Sequence, residues 1–98
     1  MMRSPAETGP VVRQIEIKNR LGLHARAAAQ FVQTATKYAA DVTVRKDGEP
    51  VNGKSIIGLM MLAAAQGSII EVTADGPDAE AVLAAIEALV ESRFNEEE

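Results

Sequence analysis

Asp41-Val42-Thr43-Val44-Arg45-Lys46-Asp47-Gly48-Glu49-Pro50-Val51-Asn52 is the stretch that decides the fold class. Val42 and Val44 alternate with polar neighbours from Asp41 to Lys46, the period-two pattern of a strand with one buried face. Asp47-Gly48 suits a tight hairpin turn, whose central residues need positive φ. The chain therefore doubles back, and Glu49 to Asn52 reads as a short return strand. An antiparallel sheet with only one apolar side must be covered by helices on that side alone.

Toward the N-terminus, Ala25 to Tyr38 reads as a helix. Ala25, Ala28, Ala29, Val32, Ala35 and Ala39 fall near the spacing of a buried stripe, with Phe31 on its shoulder. Val11 to Lys18 reads as a half-buried strand with Ile15 and Ile17 on one face, although Arg13-Gln14 interrupts the alternation. Asn19 to Gly22 forms the loop between them. Residues 1–10, with Pro5, Gly9 and Pro10, lack periodicity and are expected to form a flexible N-terminal tail.

Toward the C-terminus, Ser55 is a good N-cap for a short helix running into Ile56-Ile57-Gly58-Leu59-Met60-Met61-Leu62. A helix of one or two turns cannot bury so many apolar side chains. Two Ile and two Met left at the surface would form a partner-binding patch, whereas a wholly buried segment would make them all core. Gln66-Gly67 ends that segment. Ser68 to Asp75 reads as a fourth strand with Ile70, Val72 and Ala74 inward. Gly76-Pro77-Asp78 opens the last helix, with Pro suited to the first turn and Asp78 to the dipole. Its stripe is Val82, Leu83, Ile86, Leu89, Val90 and Phe94. Residues 95–98 read as an acidic, solvated tail without function.

The element order is β-α-β-β-α-β-α. It predicts an α+β, two-layer, open-faced sandwich: a four-stranded antiparallel sheet with three helices on one face, spanning residues 11–94. Ninety-eight residues suffice for one core. Hydrophobic residues are 47% of the chain but aromatics only 3%, so Ala, Val, Ile, Leu and Met must build that core. One histidine and no cysteine exclude disulfides and a Cys/His zinc cluster, and no metal site is expected. No signal peptide and no run of about 18 apolar residues is present, so a cytoplasmic location is expected.

Charge is uneven. Residues 1–54 carry nine Lys/Arg against five Asp/Glu, and residues 55–98 carry one against nine. The basic half contains His24, which suits an anionic ligand or an acidic partner. Nucleic acid is not expected, because there is no aromatic platform and no dense basic stripe.

His24 lies in Leu21-Gly22-Leu23-His24-Ala25-Arg26, where a glycine turn delivers it to the mouth of the first helix. The first helical turn leaves N–H groups without partners and carries a partial positive charge, which favours a phosphate. The amides around Ala25, Arg26 and Ala27 are the candidate phosphate donors. The Arg26 guanidinium adds a fixed charge able to grip phosphate oxygens. A neutral imidazole there is a nucleophile that could accept a phosphoryl group.

Two motifs, Gly22-Leu23-His24-Ala25-Arg26 and Lys54-Ser55-Ile56-Ile57-Gly58-Leu59-Met60, occur in order, with His24 and Ser55 31 positions apart. Their spacing resembles the HPr family, the histidine-containing phosphocarriers of the bacterial phosphoenolpyruvate-dependent phosphotransferase system. The resemblance spans about Val11 to Phe94. It implies a carrier rather than an enzyme, without a cofactor, that takes a phosphoryl group from Enzyme I on Nδ1 (the pros nitrogen) of His24 and passes it to an EIIA-type protein. Arg26 would neutralise the transferring charge, and Ile56, Ile57 and Met60 would form the docking surface. Ser55 matches a serine that an HPr kinase/phosphorylase modifies in many relatives. Ala27 stands where the family usually has proline, which exchanges backbone rigidity for one more N–H donor. Other readings are a carrier of the nitrogen-regulatory branch, suggested by the acidic C-terminus, and a non-catalytic binding module of the same topology. Nothing requires more than a monomer.

Overall fold

The computed structural model describes residues 9–96. Its elements are β1 (Val11–Glu16), α1 (Ala25–Ala35), β2 (Asp41–Lys46), β3 (Glu49–Asn52), α2 (Ile56–Met61), β4 (Ile69–Asp75) and α3 (Ala79–Glu91), followed by a short turn at Arg93–Asn95. The four strands form one antiparallel sheet in the order β1-β4-β2-β3. The expected α+β sandwich and its element order are what the chain adopts. Among the described residues, no helix is long and apolar enough to cross a membrane.

The hairpin forms as its sequence dictates. Asp47 and Gly48 both have positive φ, +58° and +87°, and Lys46 pairs with Glu49 across the turn. Alternation sends Val42 and Val44 to the helix-covered face, where they meet Ala74 and Val72 of β4 in register. Ile15 pairs with Ile70 on the same face. The helices close over these residues with Phe31, Leu59, Val82, Leu83, Ile86 and Val90, all buried. Each large side chain buried here contributes on the order of 1.5–3 kcal/mol from its removal from water.

The helices differ in several details from the expected pattern. In α1 the buried residues are Ala27, Ala28, Phe31 and Ala35, while Ala25 and Ala39 are exposed. The stripe is rotated so that Phe31, the largest side chain of the helix, enters the core instead of its shoulder. The helix also stops at Ala35 rather than Tyr38, because Ala39 and Ala40 turn to donate their N–H groups to the Asp78 carboxylate, each at 2.8 Å. Asp78 is the N-cap residue of α3 but makes no side-chain cap bond, since its oxygens hold that loop instead. Pro77 accordingly precedes the cap and does not occupy the first turn.

The interruption in β1 also has a spatial explanation. Arg13 shares the helix-facing parity of Ile15, at the sheet edge, and reaches Glu80 of α3 at 2.7 Å. Glu80 is largely solvated and Arg13 is more than a third exposed, so the pair contributes at most about 1 kcal/mol. β1 is two residues shorter than expected, yet Ile17 still exchanges backbone bonds with Gly67 and Ser68.

The C-terminal end departs furthest. α3 stops at Glu91, and Phe94 reaches the core from a turn in which Arg93, Phe94 and Asn95 all have positive φ, between 55° and 60°. Glu96 is not solvated, as its side chain is only 8% exposed. The rest of the expected acidic tail, residues 97–98, lies outside the described residues. Of the expected N-terminal tail only Gly9 and Pro10 are described, and neither belongs to an element.

Candidate functional site

The loop from β1 to α1 is pinned from below. Gly22 has φ +67°, and a Cβ there would meet the Ala64 carbonyl oxygen at 2.4 Å. That oxygen accepts a bond from Leu23 N–H at 2.9 Å, and the Leu23 side chain is buried. The segment after α2 therefore supports the residue that precedes His24. His24 itself is the N-cap of α1, with extended backbone (φ −75°, ψ 180°), and its carbonyl accepts the first helical bond from Ala28 at 2.8 Å.

The two ring nitrogens of His24 have opposite partners. Nδ1 accepts from Arg26 N–H at 3.3 Å, and Nε2 lies 2.7 Å from Glu96 Oε2. A backbone amide only donates and an ionised carboxylate only accepts. These partners assign the neutral ring as the Nε2–H tautomer with a lone pair on Nδ1. The Nδ1 bond is long and easily exchanged, whereas the Nε2 bond is short and charge-assisted.

Glu96 was not legible as a site residue. Its carboxylate also accepts from Asn19 Nδ2, at 3.2 Å to each oxygen, and Asn19 donates to the Gly22 carbonyl at 2.8 Å. Burial works against ionisation of Glu96. Hydrogen bonds from His24 and Asn19, with the charges of Arg26 and of His24 when protonated, outweigh that cost and hold its pKa below the ordinary glutamate value. The left-handed turn that brings it here has no glycine, and such backbone costs roughly 1–2 kcal/mol per residue. Phe94, fully buried within that turn, anchors it.

Of the expected phosphate donors, the Arg26 amide lies at the ring. The amides of Ala25, Arg26 and Ala27 precede the helical ladder, and the Arg26 side chain is exposed while that of Ala27 is buried. Among the described residues, no group of three or more His, Cys, Asp or Glu side chains is placed to hold a metal ion.

The second motif forms the adjoining surface. Ser55 Oγ accepts from Gly58 N–H at 3.0 Å and caps α2, which packs against α1. Leu59 is buried, but Ile57 and Met61 are 67% and 76% exposed, and Ile56 and Met60 about 40%. The apolar segment is thus split between core and surface. Leu21, in the loop before His24, is also exposed. Lys54 is drawn back from this surface, its Nζ donating to the Tyr38 carbonyl at 2.9 Å.

The chain is similar to known proteins. The family profile described as "PTS HPr component phosphorylation site" matches residues 11–92. The chain is 50% identical over 86 residues to the phosphocarrier protein HPr of Neisseria meningitidis serogroup A, covering 88% of this chain and 97% of that protein. The crystal structure of HPr-C-His from Thermoanaerobacter tengcongensis is similar at TM-score 0.86 and 48% identity, over 90% of this chain and 99% of that one. Crh of Bacillus subtilis, described as a swapped dimer, is similar at TM-score 0.69 and 41% identity, over 83% and 93% of the two chains.

Proposed function

The chain belongs to the HPr family of phosphotransferase-system phosphocarriers, and from that premise we propose that His24 is the residue that carries the phosphoryl group. The observation behind this reading is the placement of Nδ1, a lone-pair nitrogen at the N-terminus of α1. Nδ1 attacks phosphorus as the bond to the donor breaks, and the departing electron pair stays with the donor. The amides of Ala25, Arg26 and Ala27 and the Arg26 guanidinium face the charge on the transferring oxygens. Catalysis of this kind rests on positioning and electrostatics, with little acid–base work. The proton on Nε2 stays in place, so the same ring can release the group to the next acceptor by the reverse motion.

The donor is Enzyme I and the acceptor an EIIA-type protein, both docking on Ile56, Ile57 and Met60. Turnover requires these contacts to be small and transient. The carrier works as a cytoplasmic monomer. Ser55 is the site for an HPr kinase/phosphorylase. A phosphate there adds roughly −1.5 to −2 charge beside the docking patch, which disfavours acidic partners.

The test is intact-mass analysis with phosphoenolpyruvate, Mg²⁺ and a bacterial Enzyme I, run beside His24→Ala. One acid-labile phosphoryl group on the parent chain and none on the variant is the expected result. No gain with several Enzymes I would refute the carrier role.

A further inference from the structure

We infer that Asn19 and Glu96 are positioning residues for His24, a role that rests on the phosphoryl-acceptor reading above and extends it to the end of the chain. Glu96 is separated from His24 by 72 positions, yet its carboxylate is the partner of Nε2 among the described residues, at 2.7 Å. A carboxylate in that place holds the hydrogen on Nε2 and keeps the Nδ1 lone pair available, as second-sphere carboxylates do for other functional imidazoles. It also opposes the positive charge that the ring acquires when Nδ1 bonds to phosphorus. The proton remains on Nε2 throughout, so the step stays balanced.

Asn19 supports this carboxylate at a cost. It is fully buried, its Nδ2 donates to the Gly22 carbonyl and to both oxygens of Glu96, and its Oδ1 has no hydrogen-bond partner among the described residues. A side chain that leaves a buried acceptor unpaired is kept for what its donor does. Here the donor ties Glu96 to the Gly22 carbonyl, so the loop before His24 and the chain end move as one unit. The strained turn at Arg93–Asn95 is the third observation. Three successive non-glycine residues in the left-handed region persist only where their surroundings hold them. Phe94 in the core and Glu96 on His24 and Asn19 are those holds. Strain, an orphaned acceptor and a short ring contact converge on one function: fixing the orientation and tautomer of the imidazole.

His24 is the only histidine in the chain, so nitrogen-15 NMR reads a single imidazole. At a pH where the ring is neutral, the parent protein should show a pyrrole-type Nε2 and a pyridine-type Nδ1. Glu96→Ala should raise the Nδ1–H population and slow phosphoryl acceptance from phospho-Enzyme I by about tenfold, the lower end of second-sphere effects. Glu96→Asp should restore part of both. Asn19→Ala, if its circular dichroism remains native, should shift the tautomers in the same direction, and Glu96→Ala decides the matter if it does not fold. An unchanged tautomer population in Glu96→Ala overturns the inference, as does an acceptance rate within about twofold of the parent. If the parent chain itself accepts no phosphoryl group, the carrier reading fails, while the tautomer measurement still decides the role of Glu96 and Asn19.

Discussion

Gly22→Ala should cost the protein far more than its single added methyl group suggests. The residue has φ +67°, where a Cβ carries a penalty of roughly 1–2 kcal/mol. The added carbon would also stand 2.4 Å from the Ala64 carbonyl oxygen, which is backbone and cannot swing aside. Relief requires the loop to lift and loosens the Leu23 N–H bond to that same oxygen. Overpacking of this kind costs about 1–3 kcal/mol, and the weakened bond about 1 kcal/mol more. The sum is about 3–6 kcal/mol. Gly48→Ala is the matched control, with φ +87° and nothing within 4 Å of the added carbon, so only the conformational penalty applies. Thermal unfolding followed by circular dichroism, with both variants in one buffer, separates the two effects. Since about 1 kcal/mol shifts Tm by about 4–8 °C in a domain of this size, and the two variants differ by at least about 2 kcal/mol, Gly22→Ala should melt at least about 8 °C below Gly48→Ala. It should also accept phosphoryl groups more slowly, because the lifted loop carries His24. Equal melting temperatures would refute the argument that the Ala64 carbonyl pins this loop.

Other consequences follow from the same contacts. Bonds from Ala39 N–H, then Ala40 N–H, and the charge of Lys54 hold the Asp78 carboxyl below its ordinary pKa, against the cost of desolvation. Its contribution to stability is therefore full above the unfolded value of about 3.9 and is lost as pH falls through the lower folded value. Asp78→Asn should lower Tm at neutral pH and flatten its acid decline; an unaltered slope below about pH 4 would contradict this. Ser55→Ala removes the cap on Gly58 N–H and should destabilise by about 1 kcal/mol in urea unfolding, whereas Ser55→Asp keeps an acceptor and should weaken Enzyme I binding in titration calorimetry. Ile57→Glu, at an exposed position, should leave stability within about 0.5 kcal/mol and still slow transfer from Enzyme I. Normal transfer by that variant would remove Ile57 from the docking surface.

The sequence by itself determined the elements whose signals are local. Valine alternation and Asp47-Gly48 placed the hairpin to the residue, the apolar stripe of α3 placed its buried face, and Ser55 placed the start of α2. His24 at a helix mouth was legible for the same reason, because the glycine turn and the helix start adjoin it in the chain. In α1 the local signal was weak: with alanine at so many positions, periodicity has little contrast, and the volume of Phe31 set the rotation of the helix.

Tertiary structure alone decided what joins distant positions. Asp78 reads as a charge suited to the dipole of the last helix until Ala39 and Ala40, nearly forty positions earlier, take both of its oxygens. Glu96 reads as one of three solvated glutamates until Phe94 enters the core, the backbone turns left-handed, and the carboxylate meets His24 and Asn19. Residue type reports what a side chain prefers, and neighbouring residues report the local backbone. Which charged group loses its water to a partner is set by packing of the whole chain, where core burial outweighs local preferences of about 1 kcal/mol.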